Sequence, residues 1–230
     1  MEPAAHWRTS RHLVDLRRVR IMGVVNVTPD SFSDGGRLAD ANAAVAHCEQ
    51  LLRDGADILD IGGESSRPGA RQVSLQEEAD RVLPVIDAAL RLGCPVSLDT
   101  TKPELMRLAL QMGVDIVNDI NALQSPGAID AVASHGSCGV VLMHMLGKPE
   151  TMQEQIRYSD VVADVRTFLQ GRADALTCRN VLRSVSCSTR ESVSARVWKT
   201  TSSCWRGSVN CSVRVTRCSW DGRASPRSGR

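Results

Sequence analysis

The amino-acid sequence predicts an α/β protein with a parallel sheet, and it favours a (β/α)8 barrel. Two observations support this fold class. Between residues 20 and 145, amphipathic helical stretches alternate strictly with short apolar runs rich in Val, Ile and Leu. Each run is apolar at consecutive positions, which is typical of a strand covered on both faces and therefore of a parallel sheet. Strict alternation of this kind leaves two architectures, a doubly wound sheet and a barrel.

The elements follow one another in a regular order. Strands are predicted near residues 21–26, 57–61, 95–99, 115–119 and 139–143, and helices at about 38–54, 74–92, 103–112, 126–135 and 157–176. The later strands are each preceded by a glycine that fits the positive φ of a helix end, at Gly55, Gly93, Gly113 and Gly136. Helix starts are predicted at two capping boxes and one proline, namely Ser74 with Glu77, Thr101 with Glu104, and Pro126 after Ser125.

The first strand distinguishes between the two architectures. No GxGxxG or Walker sequence follows it, which argues against a nucleotide-binding open sheet. In both architectures ligands bind at the carboxyl ends of the strands. Every predicted strand ends in polar side chains, and a polar cluster at every strand end suits a barrel better than an open sheet. The barrel is therefore the preferred prediction.

Length and composition set the class of protein. A chain of 230 residues suits one large domain or two small ones. No apolar run approaches the roughly 18 residues that span a bilayer, and the first residues lack the apolar stretch of a signal peptide. A cytoplasmic location with no membrane partner is therefore expected.

Charge and composition change abruptly near residue 176. Residues 177–230 carry a net charge of +9 while the whole chain carries +2, so residues 1–176 carry −7. The same segment holds five of the eight Cys and three of the four Trp. This shift marks a boundary. We therefore divide the chain into an N-terminal extension (1–19), a domain (20–176) and a tail predicted to be disordered (177–230).

The strand ends carry the candidate site. Asp99 and Asn118 together offer donors and acceptors that match a heterocycle with adjacent N–H and C=O groups. Arg67 and the hydroxyls of Ser65 and Ser66 suit a phosphate or a carboxylate. Each residue also has an ordinary structural explanation, because Asp and Asn at strand ends often cap the next helix. Several polar ends that converge on one edge favour a site, because buried carboxylates are costly without partners.

The loop after the first strand adds oxygen ligands. Residues 21–36 read IMGVVNVTPDSFSDGG, in which an apolar strand ends at Asn26 and opens into a polar loop. Asn26, Asp30 and Asp34 supply the hard oxygen donors that Mg²⁺ prefers, with substrate phosphates completing the coordination shell. A turn rich in Asn, Pro, Asp and Gly is the alternative interpretation.

Five motifs together resemble the dihydropteroate synthases, a family of pterin-binding enzymes. They are NVTPDSFSDGG (26–36), DIGGESSRPGA (60–70), SLDT (97–100), VNDI (117–120) and LMHM (142–145), and the resemblance covers residues 20 to about 176. It implies a (β/α)8 TIM barrel, of which only about the first five β/α units are encoded here. It also implies a transferase of folate biosynthesis that joins 4-aminobenzoate to (7,8-dihydropterin-6-yl)methyl diphosphate, and a homodimer.

The resemblance implies roles for individual residues. Asn26 matches the family's contact to Mg²⁺ and the diphosphate, while Asp99 and Asn118 match catalytic pterin-ring contacts. Ser66 lies where the family contacts the diphosphate. The remaining matches are substrate-binding positions near the pterin or the aminobenzoate, namely Phe32, Arg67, Pro68 and Met143.

The tail departs from the family. Its Asp-Pro-Gly and Ser-Arg-Lys motifs are absent as written, and permitted codons for residues 188–195 and 217–226, read from the third base, encode DPGVGFG and LFVGWSRKS. Both motifs therefore emerge in one alternative frame, in family order. We predict a frameshift between about residues 171 and 188. The five encoded strands would leave a barrel unclosed, so the chain is expected to be a weak or inactive synthase.

Two other functions are compatible with parts of the sequence. Pterin-dependent methyltransferases share the barrel and an Asp/Asn pterin site, but they have no use for the loops at 26–36 and 60–70. A basic-tailed protein could bind nucleic acid through residues 177–230, with a steep salt dependence. The tail lacks any periodicity, so no nucleic-acid partner is expected. Zinc binding is not supported, because the tail has no C-x-x-C pair.

Overall fold

The predicted β/α repeat is present in the computed structural model, which describes residues 6–28, 37–65, 71–144, 161–177 and 212–213. The strands are β1 (His6–Arg8), β2 (Leu13–Asp15), β3 (Arg20–Asn26), β4 (Ile58–Gly62), β5 (Val96–Asp99), β6 (Ile116–Asp119), β7 (Gly139–Leu142) and β8 (Ser212–Val213). The helices are α1 (Arg37–Arg53), α2 (Leu75–Ala89), α3 (Pro103–Met112), α4 (Ala128–Ala133) and α5 (Val161–Thr177). All five predicted strands and all five predicted helices therefore have counterparts within a few residues.

Strand order distinguishes a barrel from a doubly wound sheet. The main sheet has the order β7-β6-β5-β4-β3-β8, and the neighbours from β3 to β7 all pair in parallel. Chain order and spatial order therefore coincide over five strands, without the reversal that defines a doubly wound sheet. This arrangement is that of the first five units of a barrel. The short β8 pairs antiparallel with β3 at Arg20 and Ile21.

One face of the parallel sheet packs against the helices. Alternate strand residues, among them Leu59, Ile61 and Leu98, are fully buried there in a cluster with residues of α1, α2 and α3. Val117, Val140 and Leu142 continue the same face into a second cluster with α4 and α5. None of the described helices has the length and apolar character needed to cross a bilayer. The opposite face of the strands remains for the site.

The N-terminal hairpin closes the other face at the amino ends of the strands. β1 and β2 pair antiparallel, with Trp7 opposite Val14. Trp7 is 3% exposed and belongs to a cluster with Met22, Ile58 and Ile116. The sequence analysis assigned no structural role to residues 1–19. Residues 6–15 nevertheless form the apolar floor beneath the candidate site.

The floor requires a glycine at the start of β7. A Cβ atom on Gly139 would lie 2.5 Å from Cζ2 of Trp7 and 3.0 Å from Cγ1 of Ile116. We expect Gly139→Ala to lower the free energy of unfolding by about 1–3 kcal/mol, because the indole must move out of a packed floor. Urea denaturation measures this change. Gly171→Ala is the control, because a Cβ there meets nothing within 4 Å and alanine favours the helix. An equal loss in both variants would contradict the prediction.

Helix boundaries confirm some of the predicted signals and correct others. The Ser74 side chain accepts from the Glu77 N–H at 3.1 Å, so this N-cap is confirmed. The capping box predicted at Thr101 is wrong, because α3 begins later, with Lys102 at the N-cap and Pro103 at the first helical position. Pro126 does not begin a helix, because Gly127 takes a left-handed conformation (φ 84°) and α4 starts after it. All four glycines predicted at helix ends have positive φ.

Candidate functional site

Three of the predicted site residues lie in one row across the carboxyl edge of the sheet. Asn26 pairs in register with Gly62, Gly62 pairs with Asp99, and Asp99 pairs with Asn118. Because side chains alternate between faces with a period of two, residues in register on parallel strands share a face. Asn26, Asp99 and Asn118 are therefore brought together, on the face away from the helices. Asn26 is exposed, and the other two are half-buried.

Gly62 leaves a gap in this row beside Asp99. A Cβ atom there would lie 3.4 Å from the Asp99 Cβ and 3.7 Å from its Oδ2. The Asp99 carboxylate thus leans over a position that carries no side chain. A flat ring could approach the carboxylate across this glycine without meeting another residue of β4.

A second polar layer lies one step deeper along the strands. Asp60 and Ser97 pair in register, and they are 3% and 0% exposed. The Asn118 Nδ2 donates to Asp60 Oδ2 at 2.9 Å. Within the described part of the chain, Asp60 Oδ1 and Ser97 Oγ have no hydrogen-bond partner. Burial raises the pKa of Asp60, and the nearby Ser97 hydroxyl and the Asn118 amide oppose this shift.

The loop after β4 is anchored by charge and by close packing. Lys102 donates to Glu64 and to the fully buried Glu78 of α2. Burial opposes the charge on Lys102, but these hydrogen bonds outweigh it and raise its pKa. A Cβ on Gly63 would lie 2.8 Å from Cγ1 of Val82, so this residue must be a glycine for the loop to lie against α2. The anchored loop leads directly to the predicted substrate residues at 66–68.

The loop after β6 is held from two sides. Asp119, which is 0% exposed, accepts from the backbone N–H groups of Asn121 (2.7 Å) and Leu123 (2.8 Å). Arg172 of α5 donates to the carbonyls of Ala122 and Leu123 at 2.7 and 2.6 Å. Both of these residues have positive φ (51° and 56°), a conformation that is uncommon for residues with a Cβ. Burial raises the pKa of Asp119 to about 6.

The residues after β7 divide between the site and the helices. Met143 is half-buried, and its N–H donates to the Asp119 carbonyl at 3.4 Å, which continues the strand pairing. By strand alternation it shares the face of Val141, which is in register with Asn118. His144 instead packs edge-on against Phe168 of α5, with ring centroids 4.9 Å apart. Burial lowers the pKa of His144, which favours a neutral side chain.

Several predicted site residues lie outside the described residues. These are Phe32, Ser66, Arg67 and Pro68, together with the oxygen donors Asp30 and Asp34. Their roles stay predictions. Among the residues that the structure does describe, no group of three His, Cys, Asp or Glu side chains is arranged to hold a metal ion. A cation at Asn26 would therefore need ligands from elsewhere.

Asp60 is the site-facing residue that the sequence analysis missed. It stands between Leu59 and Ile61 in a strand whose residues are all buried. An acid inside an otherwise apolar buried strand is itself a signal, because an isolated carboxylate is expensive to bury. The motif DIGGESSRPGA begins with this residue, and the residues predicted for the site all lie in its later, polar part.

Comparison with known proteins identifies the family. The family model described as "Pterin binding enzyme" matches residues 22–184. Dihydropteroate synthase of Neisseria meningitidis serogroup B is 49% identical over 169 residues, which are 73% of this chain and 59% of that protein. The Escherichia coli K12 enzyme is 49% identical over 156 residues, which are 67% of this chain and 55% of that protein. The chain thus spans less than two thirds of these relatives.

Solved structures give the same result. A Xanthomonas albilineans dihydropteroate synthase with 4-aminobenzoic acid has a TM-score of 0.72 and 45% identity, over 80% of this chain and 66% of that one. The Burkholderia cenocepacia enzyme complexed with 7,8-dihydropteroate has a TM-score of 0.71 and 43% identity, over 80% and 62%. These similarities do not favour the methyltransferase alternative. The chain belongs to the pterin-binding enzyme family.

Proposed function

We propose that this site is the pterin-binding part of a dihydropteroate synthase. The reaction joins 4-aminobenzoate to (7,8-dihydropterin-6-yl)methyl diphosphate and releases diphosphate. The row of Asn26, Asp99 and Asn118 at the carboxyl ends of three strands is the observation that carries this proposal. Similar proteins solved with 4-aminobenzoic acid and with 7,8-dihydropteroate support the choice of substrates.

The geometry suits a planar, nitrogen-rich ring. Asp99 supplies acceptors, and Asn118 supplies a carbonyl oxygen and an N–H beside them. Gly62 places no side chain beside the Asp99 carboxylate on this face. Met143 lies at the neighbouring strand end, where it can line the wall of the pocket. Phe32, Ser66, Arg67 and Pro68 would complete the pocket from two loops.

The chemistry that these residues support is a substitution at carbon. The bond between the pterin methylene and the diphosphate oxygen breaks, and the amine nitrogen forms the new bond and then loses a proton to solvent. Positive charge develops on the pterin as the diphosphate departs. A carboxylate at Asp99, held in place before the reaction, stabilises this charge and thereby lowers the barrier.

Mg²⁺ is part of the proposal. Asn26 offers an exposed amide oxygen at the diphosphate end of the row, a hard donor of the kind that Mg²⁺ accepts. Diphosphate oxygens and water would supply the remaining ligands. When bound, the cation would offset the charge of the leaving diphosphate. A homodimer and a cytoplasmic location also stay predictions.

We infer that the tail is translated from a shifted reading frame. The proposed function is therefore tested by comparing the 230-residue chain with a chain in which the frame is restored. Resequencing codons 165–230 and restoring the frame near residues 171–188 yields a second protein for comparison. We expect the frame-restored chain to form dihydropteroate from the two substrates with Mg²⁺. The 230-residue chain should be at least about a hundredfold slower. The Asp and Lys of its two absent motifs are charged pterin contacts in the family, and the loss of each costs about 1.5–3 kcal/mol.

The possible results separate the two claims. Product formation is measured by chromatography of dihydropteroate and by release of diphosphate, with both proteins at equal concentration. If neither protein makes dihydropteroate, the proposed function is wrong. If the 230-residue chain matches the frame-restored one, the frameshift inference is wrong and the function stands.

A further inference from the structure

A buried carboxylate lies directly beneath the proposed pterin site. Asp60 is 3% exposed, and its Oδ2 accepts from Asn118 Nδ2 at 2.9 Å. Its Oδ1 has no hydrogen-bond partner among the described residues. The nearby Ser97 hydroxyl also favours the charged form of Asp60. A carboxyl group that is buried with so little hydrogen bonding is costly, so its presence here calls for a role.

The Asp60–Asn118 hydrogen bond crosses a strand. Asp60 is on β4 and Asn118 is on β6, with β5 between them. In a flat sheet, strands two apart are separated by about 9–10 Å, too far for two such short side chains to meet at hydrogen-bond distance. The strands must therefore curve toward each other on this face. The intervening position opposite Asp60 is the small Ser97, which leaves room for the contact.

This hydrogen bond selects one orientation of the Asn118 carboxamide. A carboxamide can rotate by about 180° and exchange its donor and its acceptor at little steric cost. Asp60 Oδ2 accepts, whether the carboxyl is ionised or carries its proton on Oδ1. In both of these forms the Asn118 nitrogen faces Asp60, as it does in the structure, and its carbonyl oxygen and one N–H remain for a ligand.

We propose that Asp60 is a positioning residue of the pterin site, which fixes the Asn118 carboxamide so that the site accepts a pterin and rejects a ring with the reversed donor–acceptor pattern. This inference rests on the proposed function. In a pterin, the N1 acceptor adjoins the 2-amino donor. In the corresponding lumazine, an N1–H donor adjoins a 2-oxo acceptor. A carboxamide that is free to rotate fits both rings, whereas a fixed one fits only one of them.

The test uses the full 230-residue chain and two probes, 6-hydroxymethylpterin and 6-hydroxymethyllumazine. Binding is titrated by the fluorescence of each ring, in wild type and in Asp60→Asn, which keeps the volume but can either donate or accept. We expect wild type to prefer the pterin and Asp60→Asn to lose about tenfold in that preference, the equivalent of one hydrogen bond. Asp54→Asn is the matched control, because Asp54 is exposed at the end of α1 and bonds only to Gln50 among the contacts described. Its preference should equal that of wild type.

A general structural role would give a different result. If Asp60→Asn leaves the ratio of the two affinities unchanged, for example by weakening the binding of both rings by the same factor, the positioning role is wrong. Circular dichroism confirms that each variant is folded.

A second measurement does not depend on ligand binding. In ¹⁵N–¹H spectra, the side-chain amide of Asn118, assigned from its absence in Asn118→Asp, should be protected from exchange in wild type. It should lose that protection in Asp60→Ala. If wild type binds neither ring, the proposed function fails for this chain, but the exchange of the Asn118 side-chain amide still tests the positioning role. Protection that is retained in Asp60→Ala overturns that role. Protection that is lost supports it.

Discussion

Replacement of Asp115 by alanine is expected to lower the free energy of unfolding by about 3–5 kcal/mol, because it removes a fully buried carboxylate and leaves a partly buried arginine and two backbone N–H groups without their acceptor. The Asp115 side chain is 0% exposed and forms a 2.5 Å ion pair with Arg11. It also accepts from the backbone N–H of Arg11 at 2.9 Å and of Val96 at 3.0 Å. One carboxylate thus ties the N-terminal hairpin to two strands of the sheet. Urea denaturation measures the change.

Asp87→Ala is the matched control for Asp115→Ala. Asp87 also pairs with an arginine, Arg91, at 2.6 Å, but its side chain is 57% exposed. Exposed pairs contribute about 0–1 kcal/mol, so this variant should stay close to wild type. If Asp115→Ala lowers the free energy of unfolding by less than about 1 kcal/mol, Asp115 does not tie the hairpin to the sheet as proposed.

Movement of the hairpin can be followed at the same time. Replacing the three tail tryptophans with phenylalanine leaves Trp7 as the single indole of the chain. Trp7 is 3% exposed. If Asp115→Ala releases the hairpin, water reaches the indole, and the maximum of its fluorescence emission should shift to longer wavelength. An unchanged emission maximum would show that the hairpin stays docked without its ion pair.

Asp99→Asn in the frame-restored chain is expected to lower the rate of dihydropteroate formation by about 100- to 1,000-fold, as is typical when one electrostatic contact to a developing charge is removed. The substitution keeps the shape of the side chain over Gly62 but removes the negative charge beside the ring. The loss should therefore fall mainly on kcat, because the charge matters most when the pterin becomes positive. Steady-state kinetics with both substrates and Mg²⁺ separate kcat from KM.

Asp54→Asn makes the same chemical change on an exposed helix end and should leave both kinetic constants unchanged. An Asp99→Asn enzyme that retains kcat but binds the pterin more weakly would assign Asp99 to binding alone. If Asp99→Asn retains both kcat and KM, Asp99 takes no part in the reaction or in substrate binding.

Local patterns in the sequence were sufficient to predict the repeat. The strands β3 to β7 lie within a few residues of the predicted apolar runs, because a buried parallel strand needs consecutive apolar side chains. Asn26, Asp99 and Asn118 were predicted to converge, since parallel strands bring their carboxyl ends to one edge. Helix starts were less predictable. Thr101 has the spacing of a cap, but Pro103 with its fixed φ determines where α3 begins.

The contacts that organise the site could not be predicted in this way. Asp60 and Asn118 are 58 positions apart in the sequence, and they meet only because three strands pair in a specific register and curve. Arg11 and Asp115 are 104 positions apart, and no periodicity in residues 1–19 indicates that Trp7 would be buried. Gly139 is informative only once Trp7 is known to pack against it.

The sequence by itself determined the order of strands and helices, the polar side chains that stand at the strand ends, and the resemblance to the dihydropteroate synthases. These features depend on the spacing of apolar residues and on motifs a few residues long. Only the tertiary structure decided that Asp60 accepts a hydrogen bond from Asn118 and that the hairpin packs beneath the strand ends. The physical reason is that hydrogen bonds between distant residues depend on strand register and sheet curvature, and these arise from the packing of the whole domain rather than from any single segment.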